Sequence, residues 1–137
     1  MRNQSVTNSE LTLSSEDQEV IKLTCLDYLD GWYSADPDRM ARALHPDLVK
    51  RTVKQESSGK WVVGPTTTAE GLVGYTRGGG GSAVPEAKRI YDIKIVDGFQ
   101  HIAMAKALSP HYMDYIHLAK FNGKWMIVNV LWELKRE

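Results

Sequence analysis

Cysteine occurs once in this chain, at Cys25, so no intrachain disulfide can hold the fold. Cys25 falls among apolar neighbours, where a free thiol is usually a small buried hydrophobe, and a reduced, cytoplasmic setting is expected. Long apolar runs are missing as well: none approaches the ~20 residues of a membrane span. The opening stretch, MRNQSVTNSELTLSS, is polar and lacks the apolar centre of a signal peptide. Residues 1–14 are expected to form a flexible leader. Neither sign of charge is in excess, with 17 Lys and Arg against 17 Asp and Glu. The basic footprint that holds nucleic acid or an anionic membrane is therefore absent, and neither is expected as a partner.

Several chemical signatures are lacking too. No Gly-x-Ser-x-Gly nucleophile turn occurs. The run Gly78–Gly81 has neither the Lys nor the Ser/Thr of a phosphate-binding loop, and reads as a mobile loop. No His and carboxylate pair has the spacing of a metal site, so neither metal nor cofactor is expected.

What is present suits one globular domain with one core: 137 residues, 42% hydrophobic and 25% charged. Residues 15–33 read as a helix. Ser15 and Gln18 have capping-box spacing, and Glu16 and Asp17 suit the positive end of the helix dipole. Ile21, Cys25, Tyr28, Leu29 and Trp32 recur at three- and four-residue steps and make one apolar stripe. A second helix starts at Asp36, with Pro37 where a missing N–H costs nothing. Pro46 disfavours helical geometry at His45, which marks a helix-to-strand corner before an extended segment from Leu48 to Lys54. Thr67 and Glu70 repeat the capping-box spacing, predicting a third helix over Ala69–Thr76. The stretch Thr67–Ser82 is expected to border a pocket entrance and to act as a lid.

The remainder reads as four antiparallel strands. Asp97-Gly98 and Asn122-Gly123 each stand between extended runs and suit type I′ hairpin turns. Counting from Asn122-Gly123 opposes His117 to Val128 and Asp114 to Leu131. One face then carries Tyr115, His117, Val128, Val130 and Trp132. The other carries Asp114, Ile116, Leu118, Trp125, Asn129 and Leu131. Counting from Asp97-Gly98 puts Ile93 and Ile95 with Ile102 and Met104, and leaves Ala103 and Ala105 on the opposite side. A four-residue loop Ser109–Tyr112 would bring those alanines to the Asp114 face. Helices can cover one face only. The Tyr115, His117, Val128, Val130 and Trp132 face is a large apolar patch, and a homodimer through it is the simplest explanation.

Three stretches, YLDGWYSADPDRMARALHPDLVKR, IAMAKA and YMDYIHLAKFNGKWMIVNVLW, in this order, resemble the nuclear transport factor 2-like, or SnoaL-like, superfamily, and within it the branch named putative lumazine-binding. The resemblance spans the chain from about Ser15. It implies an α+β cone over residues 15–137, in which about three N-terminal helices cover a strongly curved antiparallel sheet open at one end. Members of the superfamily include polyketide cyclases, ketosteroid isomerase, dehydratases and non-enzymatic adaptors, and many are dimers through the convex sheet face.

Asp114 is the sharpest candidate residue. A carboxylate on a covered face must be paired, hydrogen-bonded or protonated, and in a cleft it can serve as acid or base. Its bland role is an ion pair at the start of a strand. Asn129 could orient a ligand or satisfy Asp114. His45 could relay a proton, or could bond the last carbonyls of a helix. Tyr28, Trp32 and Ala105 are expected to wall the pocket. His117 reads as an interface residue. The expected function is binding of an unknown small molecule, with isomerase, cyclase or dehydratase chemistry as its enzymatic form. The alternative is an interaction module whose pocket is a remnant.

Overall fold

The computed structural model describes residues 12–136. Helix α1 spans Ser15–Tyr33. Its cap is Ser14, one residue before the expected Ser15, and the Ser14 hydroxyl accepts the Asp17 N–H at 3.0 Å. The predicted stripe is the buried face: Ile21, Cys25, Tyr28 and Leu29 are each at most 3% exposed. Two described residues before the helix also pack on the fold. Leu13 is buried against Gly98, and the Thr12 hydroxyl donates to the Gly98 carbonyl at 2.8 Å. The remaining leader positions, 1–11, lie outside the described residues.

Helix α2, Pro37–Ala43, is capped by the Asp36 side chain, which accepts the Arg39 N–H at 3.1 Å. Strand β1, Leu44–Gln55, follows without a break. His45 therefore belongs to a strand and not to a helix end, because the chain is already extended at Leu44. Short strands β2, Trp61–Val63, and β3, Thr67–Thr68, precede helix α3, Ala69–Arg77. Thr68, not Thr67, caps α3 by accepting the Gly71 N–H at 3.1 Å. A short 3-10 turn, Glu86–Lys88, leads to β4, Asp92–Phe99. Strands β5, Ile102–Leu108, β6, Tyr112–Phe121, and β7, Lys124–Leu134, complete the chain.

The fold is α+β, with helices against a curled, open sheet in the order β2-β1-β7-β6-β5-β4, and β3 also on β1. The sheet is mixed, where an antiparallel one was expected. Helix α2 delivers the chain to the end of the sheet where the Asn122-Gly123 turn begins β7. Leu44 thus pairs with Ile127, Lys50 with Val130, and β1 runs parallel to β7.

Two bulges reset the faces. Asn122-Gly123 does turn β6 into β7, with positive φ at both residues and Phe121 opposite Lys124. Past Leu118–Ile127, however, Val128 is an extra residue, and His117 opposes Asn129 while Asp114 opposes Trp132. One inserted residue exchanges the faces beyond it. Val130, 2% exposed, and Trp132, packed against the core, therefore leave the predicted outer face, and Asn129 and Leu131 point outward. Tyr115 and His117 stay on the outer face.

Asp97-Gly98 is not a turn. The hairpin closes two residues later at Gln100, whose φ is 52°, with Phe99 opposite Ile102. The register shifts between Ile95 and Asp97, Asp97 bonds its own neighbour's N–H, and the bare Gly98 makes room for Leu13. As a result Ile95 faces inward opposite Ala105, and Ile102 and Met104 are exposed. The four-residue loop Ser109–Tyr112 sets Ala107 opposite Asp114, so the alanine row does share the Asp114 face.

Candidate functional site

Three elements meet on the concave side of the sheet. Tyr28 and Trp32 lie one turn apart on α1. Period-two alternation turns Leu48, Lys50 and Thr52 of β1 toward the helices, and Tyr112 and Asp114 of β6 likewise. The Val128 bulge adds Trp132. The Tyr28 hydroxyl donates to Asp114 Oδ2 at 2.7 Å, and Lys50 Nζ donates to the same Tyr28 oxygen at 2.7 Å. The Lys50 ammonium also lies over three aromatic rings, 5.2 Å from the centre of Tyr28, 5.6 Å from Trp132 and 6.0 Å from Trp32. Lys50 is half-buried, and a cation gains from such faces as water is withdrawn from it.

Asp114 is 2% exposed. Burial is the largest influence on its carboxyl and raises it above the ordinary 3.8, against the Lys50 charge and the Tyr28 hydrogen bond. Burial lowers Lys50 from its ordinary 10.5, against the Asp114 charge. Burial, then the Asp114 carboxylate, hold the Tyr28 phenol well above its usual value and push Tyr112 to about 12. Both phenols therefore stay protonated near neutral pH. Acid and amine are moved toward each other, so the ion pair and the neutral pair approach in free energy, with one phenol bridging them.

One atom is left over. Asp114 Oδ1 is buried and has no hydrogen-bond partner among the described residues. Asp114 lines a small enclosed cavity with Tyr28, Leu29, Trp32, Met40, Lys50, Leu72 and Tyr112. It has room for roughly one water. Trp32 is held from behind by the glycine run. Gly81 N–H donates to the Trp32 carbonyl at 2.8 Å, and a Cβ on Gly81 would fall 2.6 Å from Trp32 Cδ1. The run is a packed support, where a mobile loop was expected.

Of the predicted site residues, Asp114, Tyr28 and Trp32 come together. Asn129 does not, since the bulge turns it outward opposite His117. Ala105 is buried in the core beside Ile95 and Ile116 and does not line the cavity. His45 is remote. Its neighbour Leu44 pairs with Ile127 and Asp114 pairs with Trp132, five residues along β7, roughly 16 Å at ~3.3 Å per residue. His45 Nδ1 accepts the Asp47 N–H at 3.0 Å, and its ring packs on Phe121. Lys50 and Tyr112 were not singled out from the sequence. Each carried a signal: two-residue alternation with Leu48 and Thr52 for Lys50, and with Asp114 and Ile116 for Tyr112.

Among the described residues, no three His, Cys, Asp or Glu side chains gather where they could hold a metal ion. No described helix is long and apolar enough to cross a membrane. On the outer face Ile102, Met104, Tyr115 and Leu131 are 42–59% exposed.

The sequence pattern of the family described as putative lumazine-binding matches residues 16–133. No curated protein matches the chain. Among solved structures, a nuclear transport factor 2-like protein of unknown function from Shewanella baltica OS155 superposes with a TM-score of 0.68 at 19% identity, over 92% of this chain and 99% of that one. One from Methylobacillus flagellatus KT gives 0.64 at 20% identity, over 92% and 98%. A ketosteroid isomerase-like protein from Erwinia carotovora atroseptica SCRI1043 gives 0.57 at 13% identity, over 90% and 100%. At these identities the likeness concerns the fold.

Proposed function

The chain belongs to the putative lumazine-binding family of the nuclear transport factor 2-like superfamily, and on that footing we propose that it binds a small molecule on the concave side of its sheet and moves a proton on it. The observation that carries this reading is the hydrogen-bonded chain from half-buried Lys50 through Tyr28 to buried Asp114 at the wall of a cavity, with Asp114 Oδ1 left unpaired among the described residues. Isomerisation, cyclisation and dehydration each need one proton removed and one delivered. Burial raises the proton affinity of the Asp114 carboxyl, which suits it to take that proton. When Asp114 Oδ1 takes a proton from the ligand, Lys50 loses its counter-charge and its ammonium can deliver one proton to the ligand in exchange, which leaves a neutral acid and a neutral amine joined through Tyr28. One carboxylate, one amine and two phenols are not a metal-binding set, so the proposed chemistry runs on these groups.

The test is native mass spectrometry of the purified protein. The reading expects a bound small molecule that is lost in Asp114→Asn, and bare chain in both forms counts against it. The small room in the cavity favours a second reading, an interaction module whose buried polar chain is structural. The exposed Ile102, Met104, Tyr115 and Leu131 support the accompanying proposal of a homodimer through the outer face. A cytoplasmic setting belongs to the same proposal, on the ground that the one cysteine, Cys25, is a free thiol.

A further inference from the structure

Resting on the proton transfer in that reading, we propose that Lys50 also captures a small aliphatic aldehyde, no larger than acetaldehyde, as an iminium on Nζ. The groups for this chemistry stand in one line. Lys50 Nζ donates to the Tyr28 oxygen at 2.7 Å, and the Tyr28 hydroxyl donates to Asp114 Oδ2 at 2.7 Å. An ammonium has no lone pair with which to attack a carbonyl, whereas a neutral amine has one. The line supplies the neutral amine. An Nζ proton moves to the Tyr28 oxygen as the Tyr28 proton moves to Oδ2, which leaves a neutral amine, a neutral phenol and a protonated Asp114. Burial already lowers Lys50 from its ordinary 10.5. The steps then balance. The Nζ lone pair forms the bond to the aldehyde carbon, and a proton passes from nitrogen to the former carbonyl oxygen. The Asp114 proton returns through Tyr28 to that hydroxyl, the C–O bond breaks and water leaves. Ammonium and aldehyde have become iminium and water, with no other reactant.

The surroundings of Nζ suit the product. The iminium carries the same single positive charge as the ammonium, so Asp114 remains its counter-charge. The rings of Tyr28, Trp132 and Trp32 face either cation. The ammonium has three N–H donors and, among the described residues, one acceptor, the Tyr28 oxygen. The iminium has a single N–H, which that oxygen satisfies. The size limit follows from the void that Lys50 and Asp114 line, which has room for roughly one water and hence for one methyl group. Lys50 is half-buried and keeps contact with solvent, from which so small a molecule arrives.

The test is reductive trapping. The full chain is treated with acetaldehyde and sodium cyanoborohydride near neutral pH, which turns an iminium into a stable N-ethyl lysine, and the labelled peptides are followed by mass spectrometry. Lys54, exposed on the same strand, is the internal reference. Lys50 should gain its ethyl group about ten-fold faster than Lys54, the proton relay outweighing its lower exposure. Benzaldehyde, too large for the void, should reverse that order. Tyr28→Phe removes the relay and should slow Lys50 about a hundred-fold while leaving Lys54 unchanged. The wild-type ratio decides alone if that variant does not fold. Labelling of Lys50 by acetaldehyde no faster than that of Lys54 overturns the inference, as does a folded Tyr28→Phe that labels Lys50 at the wild-type rate. Lys50 labelled first by benzaldehyde overturns the size limit. If Lys50 resists acetaldehyde while native mass spectrometry shows a bound small molecule, capture fails and the proton-transfer reading stands without it.

Discussion

Tyr28 and Asp114, 86 positions apart, share a 2.7 Å hydrogen bond that fastens the first helix to the inner face of the sheet. The same phenol accepts from Lys50. Tyr28→Phe therefore strips a partner from buried Asp114 and half-buried Lys50 at once. It should lower stability by about 1–3 kcal/mol. In urea denaturation the midpoint should fall with an unchanged slope, and an unchanged midpoint would show that the bond contributes nothing.

The Asp114 carboxyl should titrate above 3.8 in carboxyl ¹³C NMR, while Asp17 should titrate below it. Asp17 accepts from the Trp125 indole at 3.0 Å and from Lys120 at 3.1 Å, and these bonds hold it down. Lys50→Met removes the charge that opposes burial at Asp114, so Asp114 should move further up.

The raised value at Asp114 has a definite sign in stability. Its folded value exceeds its unfolded one, so binding the proton favours the fold. That contribution is complete below the unfolded value and is lost as pH rises through the folded one. Measured against Asp114→Asn, the wild type should thus be relatively more stable at low pH and should lose ground as pH rises. The opposite slope would mean that Lys50 and Tyr28 outweigh burial.

Gly81→Ala should force Trp32 to shift, because the new Cβ would sit 2.6 Å from Trp32 Cδ1. The expected cost is about 1–3 kcal/mol, with Trp32 fluorescence more accessible to a quencher. If stability and quenching are unchanged, the glycine run does not support Trp32.

The proposed dimer separates two substitutions on neighbouring residues of β7. Leu131→Asp falls on the exposed outer face and should give a folded single chain in light scattering, where the wild type has the mass of two. Val130→Asp falls in the core and should unfold the protein. A wild type with the mass of one chain contradicts the dimer.

The helices were legible because their signals are local: a capping side chain, a proline at the first position, a stripe at helical spacing. The Asn122-Gly123 turn and the inward position of Asp114 were legible for the same reason, since few residues separate them. The faces failed where the chain inserts one residue. Neither Val128 nor the shift near Asp97 has a local mark, and each exchanges every side chain beyond it, which misplaced Asn129, Val130, Trp132, Ile93 and Ile95. The parallel pairing of β1 with β7 joins residues about 80 apart, as Thr52 and Trp132 show. Lys50 was passed over for a related reason. Its alternation with Leu48 and Thr52 was readable, but its partners come from α1 and β6, and no local pattern announces them.

Electron density at Asp114 Oδ1, in a crystal of the protein as purified, tests the proposed site most directly. Density for a bound small molecule within hydrogen-bond reach of Oδ1 is the expected result. A single water on Oδ1, with Trp32 still against Gly80 and Gly81, would contradict it.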